Sequence, residues 1–491
     1  MAISFNRIPV DLRTPGQYVE FDNSRALHGL LGIHQRLLLI GQRTDSAEVE
    51  AGRLVMAVTP EKIKKMFGQG SMLTSMLLAA KEANPYTETW AVALDDDDAG
   101  VAAKGSIAFS GDPSQSGTLN LYLGGERIRI LVQDTDTPEE VAANLVEEIN
   151  LHTELPVTAL VDATDADKVN ITARHKGEAG NHIDIRINYF MGDTLPEGLG
   201  VTIAPMEGGT ANPSIAPALA ALAEEQFNYI AMPYTDTSNL NLLASELEGR
   251  WGPMRQIEGL AFTAAKGTTA ELATLGDARN DKLISMLGTG KSPTQPEIWA
   301  AAYAATAAFY LNIDPARPLQ TLELIGVLPP SFGDRFTREE RNVLLHKGVS
   351  TCMVDADGRC RIERSISTYQ ENAYGYDDPS YLDMNTLATL AYIRIQVRAR
   401  IVQVFGRHKL ANDETTIWPG QAIARPKDVR MELIALFLAM EEQGIVESVD
   451  KWADQIVVEI DGTDSNRVNA LLPPDLINQL RVFASQVQFR L

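Results

Sequence analysis

Short all-apolar runs alternate along this chain with segments whose apolar residues recur every three to four positions. Residues 37–40, ended by Gly41, read as a buried strand, and so do residues 89–94. Between them Thr59-Pro60-Glu61 carries a helix-start signature: an N-cap, proline at the first helical position and an early acid. Gly68 stops that helix, and a second runs from about Ser71 to Glu82. The alternation resumes at Pro213. Helices over 213–225, 238–251, 268–276 and 296–310 are interleaved with strands over 229–232, 257–263 and 282–287. Such alternation predicts right-handed crossovers and a mostly parallel sheet, which 37–40 and 89–94 join.

From 105 to about 204 the period changes to two. Strands are expected over 107–109, 118–123, 127–132, 157–161, 169–173, 183–189 and 201–203. One helix, opened by Thr137-Pro138-Glu139-Glu140, runs to Asn150. Bounded by Asp95-Asp96-Asp97-Asp98 and by Glu207-Gly208-Gly209, this segment reads as a β-rich domain inserted into a larger one, with few contacts across its flanks. The four carboxylates diverge along the backbone, so the run reads as a solvated linker rather than a cation site. Beyond 314 a hairpin over 351–363 turns at Asp357-Gly358. A long helix starts at Asp383 and runs toward Phe405, although 393–397 also alternates like a strand. Pro426-Lys427-Asp428-Val429 opens a helix ended by Gly444; a strand over 455–460 and a linker over 461–475 follow. No internal repeat is visible.

Both ends of the chain are apolar and extended. Phe483, Val487, Phe489 and Leu491 share one face of a terminal strand, and Leu480, Val482 and Ala484 share the other. At the front Ile3 and Phe5 alternate, then Ile8 and Val10, with Pro9 and Pro15 preventing a helix; Tyr18 to Phe21 form a second short strand. An open apolar strand is adhesive and must pair, in its own sheet or in another subunit's. A connector over 22–32 follows the first arm, with Gly29 and Gly32 as permissive hinges. The N-terminus resembles neither a signal nor a transit peptide, and no stretch is apolar enough to span a membrane.

At 491 residues the chain exceeds what one core supports. The division expected is an arm and connector (1–36), an α/β domain in two parts (37–98 and 210–345), an inserted β-rich domain (99–209), an α+β assembly domain (346–475) and a terminal arm strand (476–491). The balance of 65 acidic against 43 basic residues, net −22, argues against direct nucleic-acid binding. Cys352 and Cys360 flank the Asp357-Gly358 turn out of register and read as free thiols. Gly288-Thr289-Gly290-Lys291-Ser292 follows a strand, but a phosphate loop needs glycine where Ser285 stands, inside that strand. The seven histidines show no metal-ligand spacing, and His175 and His182 read as surface residues in polar turns. With no Gly-x-Ser-x-Gly elbow either, no catalytic, metal or cofactor residue is assigned, although carboxylates cannot be paired across space from sequence.

Several strings resemble a known family from end to end: Pro15-Gly16-Gln17-Tyr18-Val19-Glu20-Phe21-Asp22, Ile362-Glu363-Arg364-Ser365-Ile366-Ser367-Thr368-Tyr369-Gln370, Leu382-Asp383-Met384-Asn385-Thr386-Leu387, Pro426-Lys427-Asp428-Val429-Arg430 and Val468-Asn469-Ala470-Leu471-Leu472-Pro473-Pro474-Asp475. The chain is similar to tail sheath proteins of Mu-like contractile-tailed bacteriophages, the myovirus and tailocin sheath family. The resemblance implies a multidomain α/β protein whose α/β domain is subtilisin-like in shape but not catalytic, with the insertion facing outward. It implies hexameric rings stacked around a tail tube, with both arms completing a sheet in neighbours. It further implies a baseplate and a tail terminator as partners, no cofactor, no membrane insertion, and a place in the virion after assembly in the host cytoplasm. The sheath would contract to drive the tube through the host envelope for genome ejection. By the same analogy the helix over 426–444 faces the tube, with Lys427 and Arg430 as candidate contacts; read plainly, they cap and solubilise that helix. The alternatives are another self-assembling virion protein, of tube or capsid type, or an α/β hydrolase.

Overall fold

The computed structural model describes residues 13–17, 30, 32, 34–418 and 420–490. The N-terminal arm positions Ile3, Phe5, Ile8, Val10, Tyr18 and Phe21, the hinge Gly29 and the terminal Leu491 lie outside the described residues. Two compact units are present, His34–Leu387 and the chain from Ala388 onward.

The first unit begins with β1 (Arg36–Gln42), β2 (Leu54–Met56), α1 (Pro60–Phe67), α2 (Met72–Ala83) and β3 (Glu88–Leu94). Ser71 caps α2 by accepting from the Thr74 N–H at 3.1 Å. The insertion follows: β4 (Ala102–Ser110), β5 (Gly117–Leu123), β6 (Glu126–Val132), α3 (Pro138–Leu151), β7 (Val157–Val161), β8 (Lys168–Lys176), β9 (Ile185–Ile187) and β10 (Gly200–Glu207). The α/β pattern then returns as α4 (Ala216–Leu222), β11 (Tyr229–Ala231), α5 (Thr237–Trp251), β12 (Leu260–Lys266), α6 (Thr269–Asp277), β13 (Ile284–Gly290) and α7 (Pro296–Ile313).

The central sheet has the order β13-β12-β11-β1-β3-β2, and β2 alone within it is antiparallel. β1 is buried from Leu37 to Gln42 because helices cover it, and it accordingly reads as one apolar run. α2 and α7 lie side by side against it. A Cβ at Gly41 would stand 3.3 Å from the Leu73 backbone, so the close approach of α2 depends on that glycine. α7 is alanine-rich and buried on nearly every side, the pattern of a helix enclosed by protein. β13 is not an open edge: the Ser350 N–H donates to the Met286 carbonyl (2.8 Å) and the Thr368 N–H to Ile284 (2.9 Å). Ser285, Ser350, Ser365 and Tyr303 close that seam with buried hydroxyl hydrogen bonds.

The insertion holds two antiparallel sheets, β10-β4-β8-β7 and β6-β5-β9, sharing one core with α3. Its two ends meet, Val101 pairing with Thr210. The exposed edge of β7 is blunted by Asn150, whose carboxamide donates to the Ala159 carbonyl (2.8 Å) and accepts from its N–H (3.1 Å).

The unit continues with α8 (Arg338–His346), which was not anticipated, and the hairpin β14 (Thr351–Val354) and β15 (Cys360–Arg364). That turn differs from the expected two-residue form. The Asp355 N–H bonds the Arg359 carbonyl, and Gly358 takes a φ of +79° in a three-residue loop. Cys352 still faces Ile362 rather than Cys360, both thiols are free, and burial pushes Cys352 up to about 12.

α9 (Met384–Phe405) is helical throughout, its 393–397 alternation notwithstanding. Beyond it come β16 (Lys409–Leu410), β17 (Ile423–Ala424), α10 (Pro426–Glu442), α11 (Val449–Trp452), β18 (Val457–Ile460) and β19 (Val468–Leu471). The expected linker over 461–475 therefore contains a strand, Val468–Leu471, which pairs with β18 as an antiparallel hairpin. Asp461 closes the turn by accepting from the Thr463 N–H and hydroxyl and from Asn469, which holds its pKa far below the carboxylate range. The pattern was too short to see, and Leu472 beyond it packs on Ala424, Val429 and Leu433.

Candidate functional site

The terminal arm leaves the second unit after a short anchor. Leu476 bridges Val446, the Glu447 N–H donates to Asp475 at 2.9 Å, and Asn478 reaches the Glu447 carboxylate at 2.9 Å. From Gln479 to Arg490 the arm forms no strand with the described residues. Leu480 and Val482 are each 80% exposed, Phe483 and Val487 84%, and Phe489 81%. None of them is among the buried core residues described. Within the same unit the β18–β19 hairpin is two strands wide among the described residues, and Val457 and Leu471 on it are exposed. Such a pair is marginal alone and open to further strands.

The candidate tube residues part company. Lys427 is exposed, its ammonium donating to the Asp413 carbonyl and its N–H to the Asp413 carboxylate at 2.9 Å. Arg430 turns inward and donates to the carbonyls of Ile456 (2.9 Å) and Ala453 (2.8 Å), tying α10 to the segment after α11. The free face of α10 carries Met431, Ala435 and Leu438. Gly32 is exposed, and a Cβ there would meet nothing within 4 Å.

The junction of insertion and α/β domain is built from polar residues expected at the surface. Asp96 is no solvated linker residue: it accepts from Gln42 Nε2 (2.7 Å), His175 Nδ1 (3.0 Å) and the Lys176 N–H (2.9 Å). Burial works against its ionisation, but these hydrogen bonds prevail and hold its pKa below the usual range. His175 Nε2 accepts from the Met72 N–H at 3.1 Å, so the ring spans β8, the acidic run and the start of α2. His182 is likewise drawn inside, its pKa lowered by burial and by Lys266. The flanks that suggested few contacts thus carry a dense seam, because the two ends of the insertion return together and press it onto α2, α7 and β12.

Beneath that seam lies a cavity of about 190 Å³ at the C-terminal ends of β11 and β12, lined by Glu178, His182, Tyr234, Lys266 and Glu297 among others. Glu297, in the first turn of α7, is 4% exposed, and burial pushes its carboxyl up to about 7. Sequence gave no sign of it, since an acid in a first helical turn is ordinarily solvated. Lys266 is occupied by Asp184 (3.4 Å) and the His182 carbonyl (3.2 Å). Among the described residues no three His, Cys, Asp or Glu side chains form a metal cluster, and no helix is long and apolar enough to cross a membrane.

A mixed α/β protein with an exposed apolar C-terminal arm has the features of an assembling subunit. The family model of the phage tail sheath central domain matches residues 208–368, and that of the phage tail sheath C-terminal domain matches residues 376–490. A relative from Haemophilus influenzae, the Mu-like prophage FluMu tail sheath protein, is 43% identical over 489 residues, covering 100% of both chains. The chain belongs to the phage tail sheath family and is a structural subunit of a contractile tail sheath. Among solved structures, that of the anti-feeding prophage baseplate in contracted state shares the fold (TM-score 0.51, 8% identity, 97% of this chain and 99% of that chain). The sheath tail protein Lin1278 from Listeria innocua is similar at a TM-score of 0.49 and 14% identity, over 92% of this chain and 94% of its own.

Proposed function

We propose that this chain polymerises by exchanging its arms, the C-terminal strand of one copy and the N-terminal strand of another adding to the β18–β19 hairpin of a third. The observation that carries this reading is the arm itself: five large apolar side chains in an extended segment, each at least 80% exposed. The polymer consists of stacked six-fold rings around a tail tube, bounded by a baseplate and a terminator, assembled in the host cytoplasm and carried in the virion. The α/β domain acts as a non-catalytic body of subtilisin-like shape, and the insertion faces outward. α10 faces the tube, with Lys427 beside Met431, Ala435 and Leu438, while Arg430 steadies the helix from behind. Electron micrographs of the purified chain should show hollow cylinders of tail width; amorphous or strictly monomeric protein would refute the reading.

Contraction draws on a metastable extended packing that relaxes to a lower one, as one sequence can support two packings. The arms stay paired while the bodies move, so the connectors absorb the displacement. After β19 that connector is short, from Leu472 to the anchor at Asp475, which places more of the demand on the connector over 22–32. Eleven extended residues reach at most about 36–40 Å. Inserting two or three residues after Ser24 should give particles that assemble but contract incompletely; full contraction with normal infectivity would show that this tether does not transmit the motion.

The insertion is peripheral to assembly yet important to stability. Because Val101 pairs with Thr210, residues 102–209 can be replaced by a short Gly/Ser linker. Cylinders should still form, with a lower thermal midpoint, since Gln42, Asp96 and the Met72 N–H lose their partners. A folded monomer unable to form cylinders would make the insertion an assembly element instead.

A further inference from the structure

The segment joining the regions matched by the two sheath family models carries a hydrogen-bonded hairpin with an exposed tip. Glu371 pairs with Asp377, the Asn372 N–H donates to the Tyr376 carbonyl (2.9 Å), and the Gly375 N–H, at φ +75°, donates to the Asn372 carbonyl (2.9 Å). The Asn372 side-chain oxygen accepts from the N–H groups of Tyr374 (2.9 Å) and Tyr376 (3.2 Å). Asn280 grips the base, accepting from the Gln370 N–H (2.7 Å) and the Glu371 N–H (3.0 Å) and donating to the Glu371 carbonyl (2.8 Å). The hairpin backbone is held at both its base and its turn, yet Tyr374 and Tyr376 at its tip are 85% and 71% exposed. Glu371 and Asp377 beside them are exposed as well. Aromatic side chains fixed in advance on a bonded loop form contacts at little cost in conformational entropy.

We propose that the Tyr374–Tyr376 hairpin is a contact between copies of this chain, receiving the Arg407–Lys409 tip of a neighbouring subunit; this rests on the sheath reading above. In a chain of net charge −22, Arg407, His408 and Lys409 stand consecutively exposed just beyond α9. Neither Arg407 nor Lys409 has an ion-pair partner among the described residues. Val402, one turn earlier, is 71% exposed and offers apolar surface beside them. A guanidinium stacks on a tyrosine face while its N–H groups meet carboxylates, and the hairpin presents both. Lys62, Lys64 and Lys65 on α1 form another exposed basic group, but ammonium groups lack the planar fork, and Lys64 already acts on Glu154. Because the two surfaces differ, the contact is heterologous and repeats from copy to copy, as the rings and stacks of a sheath require.

The test uses the full chain and its polymerisation threshold, read by sedimentation and electron microscopy, with melting curves confirming the fold. Tyr374→Ala/Tyr376→Ala, Asp377→Lys and Arg407→Glu should each raise the threshold roughly thirty-fold, as loss of an interface anchor does. Asp377→Lys combined with Arg407→Glu should restore most of it. If the single variants polymerise like the wild type, the hairpin is not a contact. If they fail and the combined variant fails equally, the hairpin meets some other surface and the pairing is wrong. A wild-type chain that forms no cylinders would overturn the sheath reading itself, an outcome separate from both. Asp377 is exposed at the base of the hairpin, so its variant reports even if the tyrosine pair perturbs folding.

Discussion

Removing Val482–Leu491 should leave a folded subunit that forms no cylinders. The large apolar side chains of this segment that the structure describes are at least 80% exposed, so the truncated chain should melt within a few degrees of the full one, as surface changes do. The cut falls beyond the anchor at Asp475–Asn478, which therefore keeps its bonds to Val446 and Glu447. In the assembly Val482, Phe483, Val487 and Phe489 would each contribute roughly 1.5–3 kcal/mol of burial at every junction. Summed along a polymer, that difference abolishes assembly rather than weakening it. Phe483→Ser and Phe489→Ser, on one face of the strand, should weaken it by degrees. Cylinders from the truncated chain, or a chain that unfolds, would contradict arm donation.

Glu297→Gln should stabilise the α/β domain by roughly 2–3 kcal/mol at pH 8 and leave it almost unchanged at pH 4. Burial among Tyr234, Lys266 and the β11–β12 strand ends pushes the Glu297 carboxyl from 4.5 up to about 7. The folded chain therefore holds a proton that the unfolded chain has already released between those values. Stability from this group is fully present below about pH 4.5 and is lost as pH rises through 7. Glutamine keeps an oxygen for Gln295, which donates to Glu297 Oε1 at 2.9 Å, and carries no charge to desolvate. Denaturation of wild type and variant at pH 4, 6 and 8 isolates the effect, because Asp96 and His182 act equally in both. A difference that does not change with pH would mean that Glu297 is ionised and well solvated where it lies.

The alternating helices and strands, the helix starts at Thr59 and Thr137, and the parallel character of the central sheet were legible because each is local. A cap needs a side chain within three residues of an N–H, and a buried strand needs only an unbroken apolar run. The apolar character of the C-terminal segment was legible for the same reason, but the strand expected over it does not form among the described residues, where Leu480, Val482, Phe483, Val487 and Phe489 stand exposed. What the amino-acid order could not disclose was which distant segment covers which polar group. Asp96 and His175, 79 residues apart, appeared as a solvated run and a surface histidine until the insertion folded back and joined them. Arg430 looked like a free cation on a helix until the segment after α11 brought two carbonyls to it. Glu297 had the appearance of an ordinary first-turn acid until β11, β12 and the insertion closed above it. Sequence by itself determined most of the elements and the apolar character of the C-terminal segment, since these depend on neighbours along the chain. Tertiary structure alone decided burial and charge, since desolvation and hydrogen bonding depend on whatever packs across the space between them.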